Sequence, residues 1–96
     1  MALSDFSVQA HSLHQARPGS RWRVTDIASA PEISSRLFAL GLFPGATLDV
    51  LRYAPMGDPM QIKVGQTLLS IRRDDAQSIA VEELVTHHET LVTGVA

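Results

Sequence analysis

The chain contains no cysteine, which excludes disulfides, thiolate metal centres and cysteine nucleophiles together and suits a reducing compartment. It has no apolar run approaching the roughly 20 residues that a membrane-spanning helix needs, so any membrane association is expected to come through a partner. The N-terminus, MALSDFSVQAHSLHQARPG, lacks the basic start and long apolar stretch of a secretory signal, and the expected location is cytoplasmic. Charge of one sign is not in excess either. The formal net charge is −2, whereas a general nucleic-acid binder carries a basic face. Catalytic spacings are missing as well. The glycines at 41 and 45 lack the Lys and Ser/Thr that complete a phosphate loop, and no serine has an obvious base and oxyanion arrangement. The chain does not read as an enzyme.

What is present is one domain. Ninety-six residues allow a single modest core, and 45% apolar against 19% charged residues favours a folded globule over disorder. The pattern divides the chain into a mobile lead over 1–12, an ordered domain over 13–84 and a frayed tail over 85–96.

The domain is organised around residues 36–64, RLFALGLFPGATLDVLRYAPMGDPMQIKV. A helix over 31–40 is expected to begin in a Ser29–Glu32 capping box, with Pro31 in its first turn. Ile33, Leu37 and Leu40 recur at helical spacing and are expected to face the core, leaving Phe38 off the stripe, and Gly41 supplies a left-handed stop. After the Pro44-Gly45 turn, Leu48 and Val50 alternate with Thr47, Asp49 and Leu51. Met60, Ile62 and Val64 alternate with Gln61 and Lys63 in the next strand, and Gly65-Gln66 forms a two-residue hairpin connection. An earlier strand over 21–27 follows the Arg17–Ser20 turn, with Trp22 and Val24 on one face and Arg21, Arg23 and Thr25 on the other. A helical turn at 74–77 and a short strand carrying Ile79 and Val81 complete the domain. The expected fold is mainly β: about five short strands curled into a small barrel that removes its edges, with one capped helix and short helical turns.

Several features in this order resemble the FeoA family, the small accessory proteins of bacterial ferrous iron uptake. They are Gly19 before the first strand, the helix end RLFALG, the LFPG turn, the YAPMGDP loop, the IKVGQTLLSIR hairpin and the closing DDAQSIAV. They extend over residues 13–84. The resemblance implies an SH3-like barrel and a non-enzymatic adaptor that binds the cytosolic part of the membrane transporter FeoB and modulates iron uptake, without nucleic acid and without inserting into the membrane. The same barrel occurs at the C-terminus of iron-dependent repressors, so the alternative is a small metal-responsive sensor or regulatory SH3-like domain.

On the adaptor reading the contact surface falls on Arg36, Leu42 and Phe43 at the helix end, and on Tyr53, Met56 and Asp58 in the loop. A loop-tip methionine beside exposed apolar groups is an adaptable contact. On the sensor reading the ligands are histidines. His11 and His14, three apart, fit one helical face, while His87, His88 and Glu89 are adjacent, and such groups suit Zn²⁺ or Fe²⁺. Both groups lie in terminal segments where a preformed site is disfavoured, so no cofactor is required. Homodimerisation stays open at this point. Peptide binding in an aromatic groove is weakly supported, because only Trp22, Tyr53 and three Phe are available.

Overall fold

The computed structural model describes residues 10–84. In chain order the elements are β1 (Ala10–Ser12), a 3-10 turn (Leu13–Gln15), β2 (Arg21–Ile27), α1 (Pro31–Ala39), β3 (Thr47–Tyr53), β4 (Met60–Val64), β5 (Thr67–Ile71), α2 (Arg73–Gln77) and β6 (Ile79–Glu83). Alternation decides which side chains enter the core. Trp22 and Val24 of β2, Leu48 and Val50 of β3, Met60 and Ile62 of β4 and Ile79 and Val81 of β6 are buried, as the period of two requires. On the outer face Arg21 lies opposite Asp49 and Arg23 opposite Glu82, and the pairs form ion contacts of 2.8 and 2.6 Å. These exposed pairs match register more than they add stability.

The expected closed barrel of about five strands is not formed. Six strands make one open antiparallel sheet in the order β1-β6-β2-β3-β4-β5, and the end strands β1 and β5 do not pair. The sixth strand is β1, three residues placed by expectation in the mobile lead, which pairs with β6 through Ala10↔Glu82 and Ser12↔Ala80. The chain leaves β5 directly into α2, which packs against the 3-10 turn. Side chains make the remaining ties: the Ser12 hydroxyl donates to the Gln77 carbonyl at 2.6 Å, and register shifts between Val24 and Asp26 and between Val50 and Arg52 bend the sheet.

The capping box is also absent. The residue before α1 is Ala30, with no side-chain cap, and the Ser29 hydroxyl instead meets that of Ser78 at 2.6 Å. That contact ties the entry of α1 to the segment leading into β6. Leu37 is buried, but Leu40, expected in the core, is 42% exposed. The helix terminus explains this. Gly41 sits at φ +100°, its N–H donates to Phe38 O at 2.9 Å, and the Leu42 N–H reaches back to Leu37 O at 2.9 Å. This pair of bonds is the Schellman arrangement, in which the residue after the glycine contacts the helix three positions before the cap. Leu42 therefore folds under and takes the core position, fully buried with Leu37.

A Cβ on Gly41 would lie 3.2 Å from Val64 Cγ1 in a left-handed backbone. Gly41→Ala is expected to destabilise the domain by roughly 1–2 kcal/mol, read as a lower urea midpoint with unchanged slope. An unchanged midpoint would show that the left-handed stop is dispensable.

Candidate docking site

The left-handed turn puts two aromatic rings on one surface. Phe38, on the last turn of α1, and Phe43, just past the turn, meet at 5.0 Å between centroids with a 41° tilt. Phe38 is 64% exposed and Phe43 half-buried. Beside them runs a mainly apolar groove of about 410 Å³, lined also by Leu42, Ile27, Pro44, Ser34, Ser35 and Asp26 near the end of β2. A large apolar ring held in the open over a preformed groove is the usual anchor of a protein contact. Aspartate and serine hydroxyls at the margin give a partner polar groups to pair with.

The expected contact residues do not form one surface element. Arg36 is exposed on α1 and Met56 is 91% exposed at the tip of its loop, so both are available to a partner. Leu42 is not: it is fully buried. Tyr53 and Asp58 have architectural partners. The Tyr53 hydroxyl donates to the Ala16 and His14 carbonyls, which fastens β3 to the segment entering β2. Asp58 Oδ1 accepts the Arg73 N–H at 3.0 Å, so the loop's carboxylate caps the first turn of α2. Phe38 is the residue the expected set lacks. Its place off the Ile33–Leu37–Leu40 stripe was a sufficient signal, because an aromatic outside the buried stripe of an amphipathic helix faces outward.

The histidines do not converge. His11 is in β1 with its ring edge-to-face on Trp22, 5.5 Å between centroids at 77°, and His14 is in the 3-10 turn, so the two do not share a helical face. His14 Nδ1 is buried without a hydrogen-bond partner among the described residues. His87, His88 and Glu89 lie outside the described residues. Among the described residues no group of three or more His, Asp or Glu side chains gathers as a metal site, and no helix is long and apolar enough to cross a membrane.

The described residues form a small open-sheet domain with one helix and an aromatic-rimmed apolar groove. Comparison with known proteins makes this particular. The FeoA domain model matches residues 11–83. The solution structure of FeoA from Chlorobium tepidum superposes with a TM-score of 0.75 at 41% identity, over 78% of this chain and 71% of that one. A crystal structure of an iron uptake regulatory protein (FeoA) matches at 32% identity with a TM-score of 0.73, over 79% of this chain and all of that one. A manganese-dependent transcriptional repressor shares the fold at 21% identity, with a TM-score of 0.72, over 42% of its own length. The chain belongs to the FeoA family, and its function is that family's non-enzymatic accessory role in bacterial ferrous iron uptake.

Burial holds the Tyr53 phenol above its ordinary pKa of 10.0, with the Arg73 charge pulling the other way. Because the folded-state value is the higher one, the neutral phenol's contribution is complete below the unfolded pKa and is lost as pH rises through the folded value. Tyr53→Phe is expected to cost about 1 kcal/mol near neutrality and to flatten the alkaline loss of stability. Urea titrations at neutral pH and above the ordinary tyrosine pKa check this, and parallel profiles for the two proteins would contradict it.

Proposed function

We propose that this chain docks on the cytosolic part of a FeoB-type ferrous iron transporter through the Phe38–Phe43 groove, working in the cytoplasm and modulating uptake by preferring one conformational state of the transporter. The observation that supports this most is Phe38 itself, a large apolar side chain 64% exposed on the rim of a preformed groove. Such exposure carries no folding benefit, and a partner that covers it gains the area. Arg36 is exposed on the same helix but does not line the groove, so a charge there acts on encounter rate more than on affinity. Met56 at its loop tip is a second, adaptable contact. An accessory protein changes a transporter's equilibrium only by as much as it binds one state better than another, so the docking is expected to depend on the partner's nucleotide state.

The test is calorimetric titration of this protein into the transporter's cytosolic domain, with guanosine di- and triphosphate in separate experiments. Binding that differs between nucleotides is expected. Phe38→Ala is expected to weaken it about tenfold or more without lowering the urea midpoint, because the ring is mostly in solvent. Equal affinity for parent and variant would remove the groove from the interface.

A further inference from the structure

One irregularity in β2 decides which side chain stands at the groove. Trp22 and Val24 are buried, so strict alternation would send Asp26 into the core and leave Ile27 outside. The pairing with β6 instead shifts register between Val24 and Asp26. Thr25 is the extra residue of that bulge, and beyond it the two faces of the strand are exchanged. Ile27, opposite Ile79, packs against the core. Asp26 is left exposed, and it lines the groove with Ser34, Ser35 and Phe38 of α1.

Asp26 is the one charged residue of that lining. Among the described residues the other carboxylates on the sheet are each held by an arginine: Asp49 by Arg21, Glu82 by Arg23 and Glu83 by Arg17. Asp26 is in none of these pairs. The neighbouring Ser34 hydroxyl is already used, donating to the Pro31 carbonyl at 3.3 Å. A carboxylate only accepts hydrogen bonds, and covering one without supplying a donor costs free energy that the apolar contact beside it must overcome. The groove therefore discriminates among occupants. A wholly apolar segment would strip water from Asp26 and return nothing, and an acidic segment would add repulsion. A segment that carries a cation next to its apolar residue satisfies both the rings and the carboxylate.

We infer that the segment docking in this groove carries a lysine or arginine beside its apolar anchor, and that Asp26 pairs with that cation while Phe38 and Phe43 hold the anchor. The inference rests on the docking reading above and deepens it, naming the chemistry of the partner's segment. Docked apolar groups keep water from one side of the pair, so it is screened less than an ion pair on an open surface. Arg36, outside the lining, does not take the cation's place.

The test is calorimetric titration of the full chain into the transporter's cytosolic domain at low and at high salt. Asp26→Asn keeps the shape and removes the charge. It is expected to weaken binding about tenfold and to flatten the salt dependence, with an unchanged urea midpoint because the parent carboxylate has no ion-pair partner among the described residues. Asp26→Lys is expected to weaken binding further, and Phe38→Ala is measured beside both. A second titration needs no transporter. Two capped peptides, identical except that arginine or uncharged citrulline follows a leucine, are added to isotope-labelled protein. The arginine peptide is expected to shift the Asp26, Ser35 and Phe38 amides at about fivefold lower concentration. An equal response to the two peptides overturns the inference. So does binding that Phe38→Ala weakens and Asp26→Asn leaves unchanged, a result that keeps the groove and removes the cation. Weakening by Asp26→Asn with undiminished salt dependence overturns it as well, because the donor is then neutral. If neither substitution alters binding, the groove reading itself falls and takes this inference with it.

Discussion

The stop at Gly41 is the constraint on which the arrangement of this surface depends. A helix ending in a left-handed residue returns two N–H groups to its own carbonyls, here Gly41 to Phe38 and Leu42 to Leu37. That closure fixes the direction of the next side chain. Leu42 is driven beneath the helix into the core, where Leu37 and Leu42 are buried together. The residues around it are set by the same event. Phe38 and Leu40 remain outside, and Phe43 emerges far enough round the turn to meet Phe38. One backbone feature thus seats Leu42 in the core and brings Phe43 round to Phe38, which the phase of the helix already holds outside. Exposed aromatic area is costly in water, and here the helix phase and the turn keep Phe38 out of the core despite that cost.

The sheet shows how a small domain can dispense with barrel closure. Ninety-six residues cannot bury much surface, and an open sheet leaves two edges. Near one end of the sheet α2 packs on the 3-10 turn and β6. The chain fastens that corner with side chains whose partners are far away in sequence: Tyr53 to Ala16, Ser12 to Gln77 and Asp58 to Arg73. Each is a single hydrogen bond worth little on its own. Together they join β1, β3 and the YAPMGDP loop around α2. The loop that carries Met56 at its tip is therefore braced at its base: Gly57 N–H bonds Ala54 O at 2.7 Å and Ala54 N–H bonds Pro59 O at 2.9 Å. A braced loop presents its tip with less entropy to lose on contact.

What could be read from the sequence divides along the range of the forces involved. Strands β2 to β6 and their turns follow from alternation and from glycine and proline placed between the runs, which are local signals. The three residues of β1 have no alternation to read, and their strand exists only because β6 offers an edge. The same holds for Tyr53 and Asp58. A tyrosine and an aspartate in a loop look like contact residues until the fold supplies a carbonyl and a helix terminus 37 and 15 positions away. The Ser29 cap fails for a related reason, since the Ser78 hydroxyl competes for it across the fold. The choice between Leu42 and Phe43 was more legible than it looks. Once Gly41 is taken as the residue after the helix cap, the next residue is the one that contacts the helix, which sends Leu42 inward and leaves Phe43 at the surface.

The groove and the β5 edge of the sheet differ in what maintains them. The groove is enforced: Phe38 lies off the buried stripe of α1, so its exposure follows from the phase of the helix. The β5 edge is merely permitted. Nothing in the turn at Gly65-Gln66 or in the packing of Ile71 forbids a lysine at 68 or a charge at 70, either of which would defend the strand. Among the described residues, β5 is a five-residue outer strand with an exposed Leu68 and no defender, a hazard to a free monomer because any extended chain can pair with it.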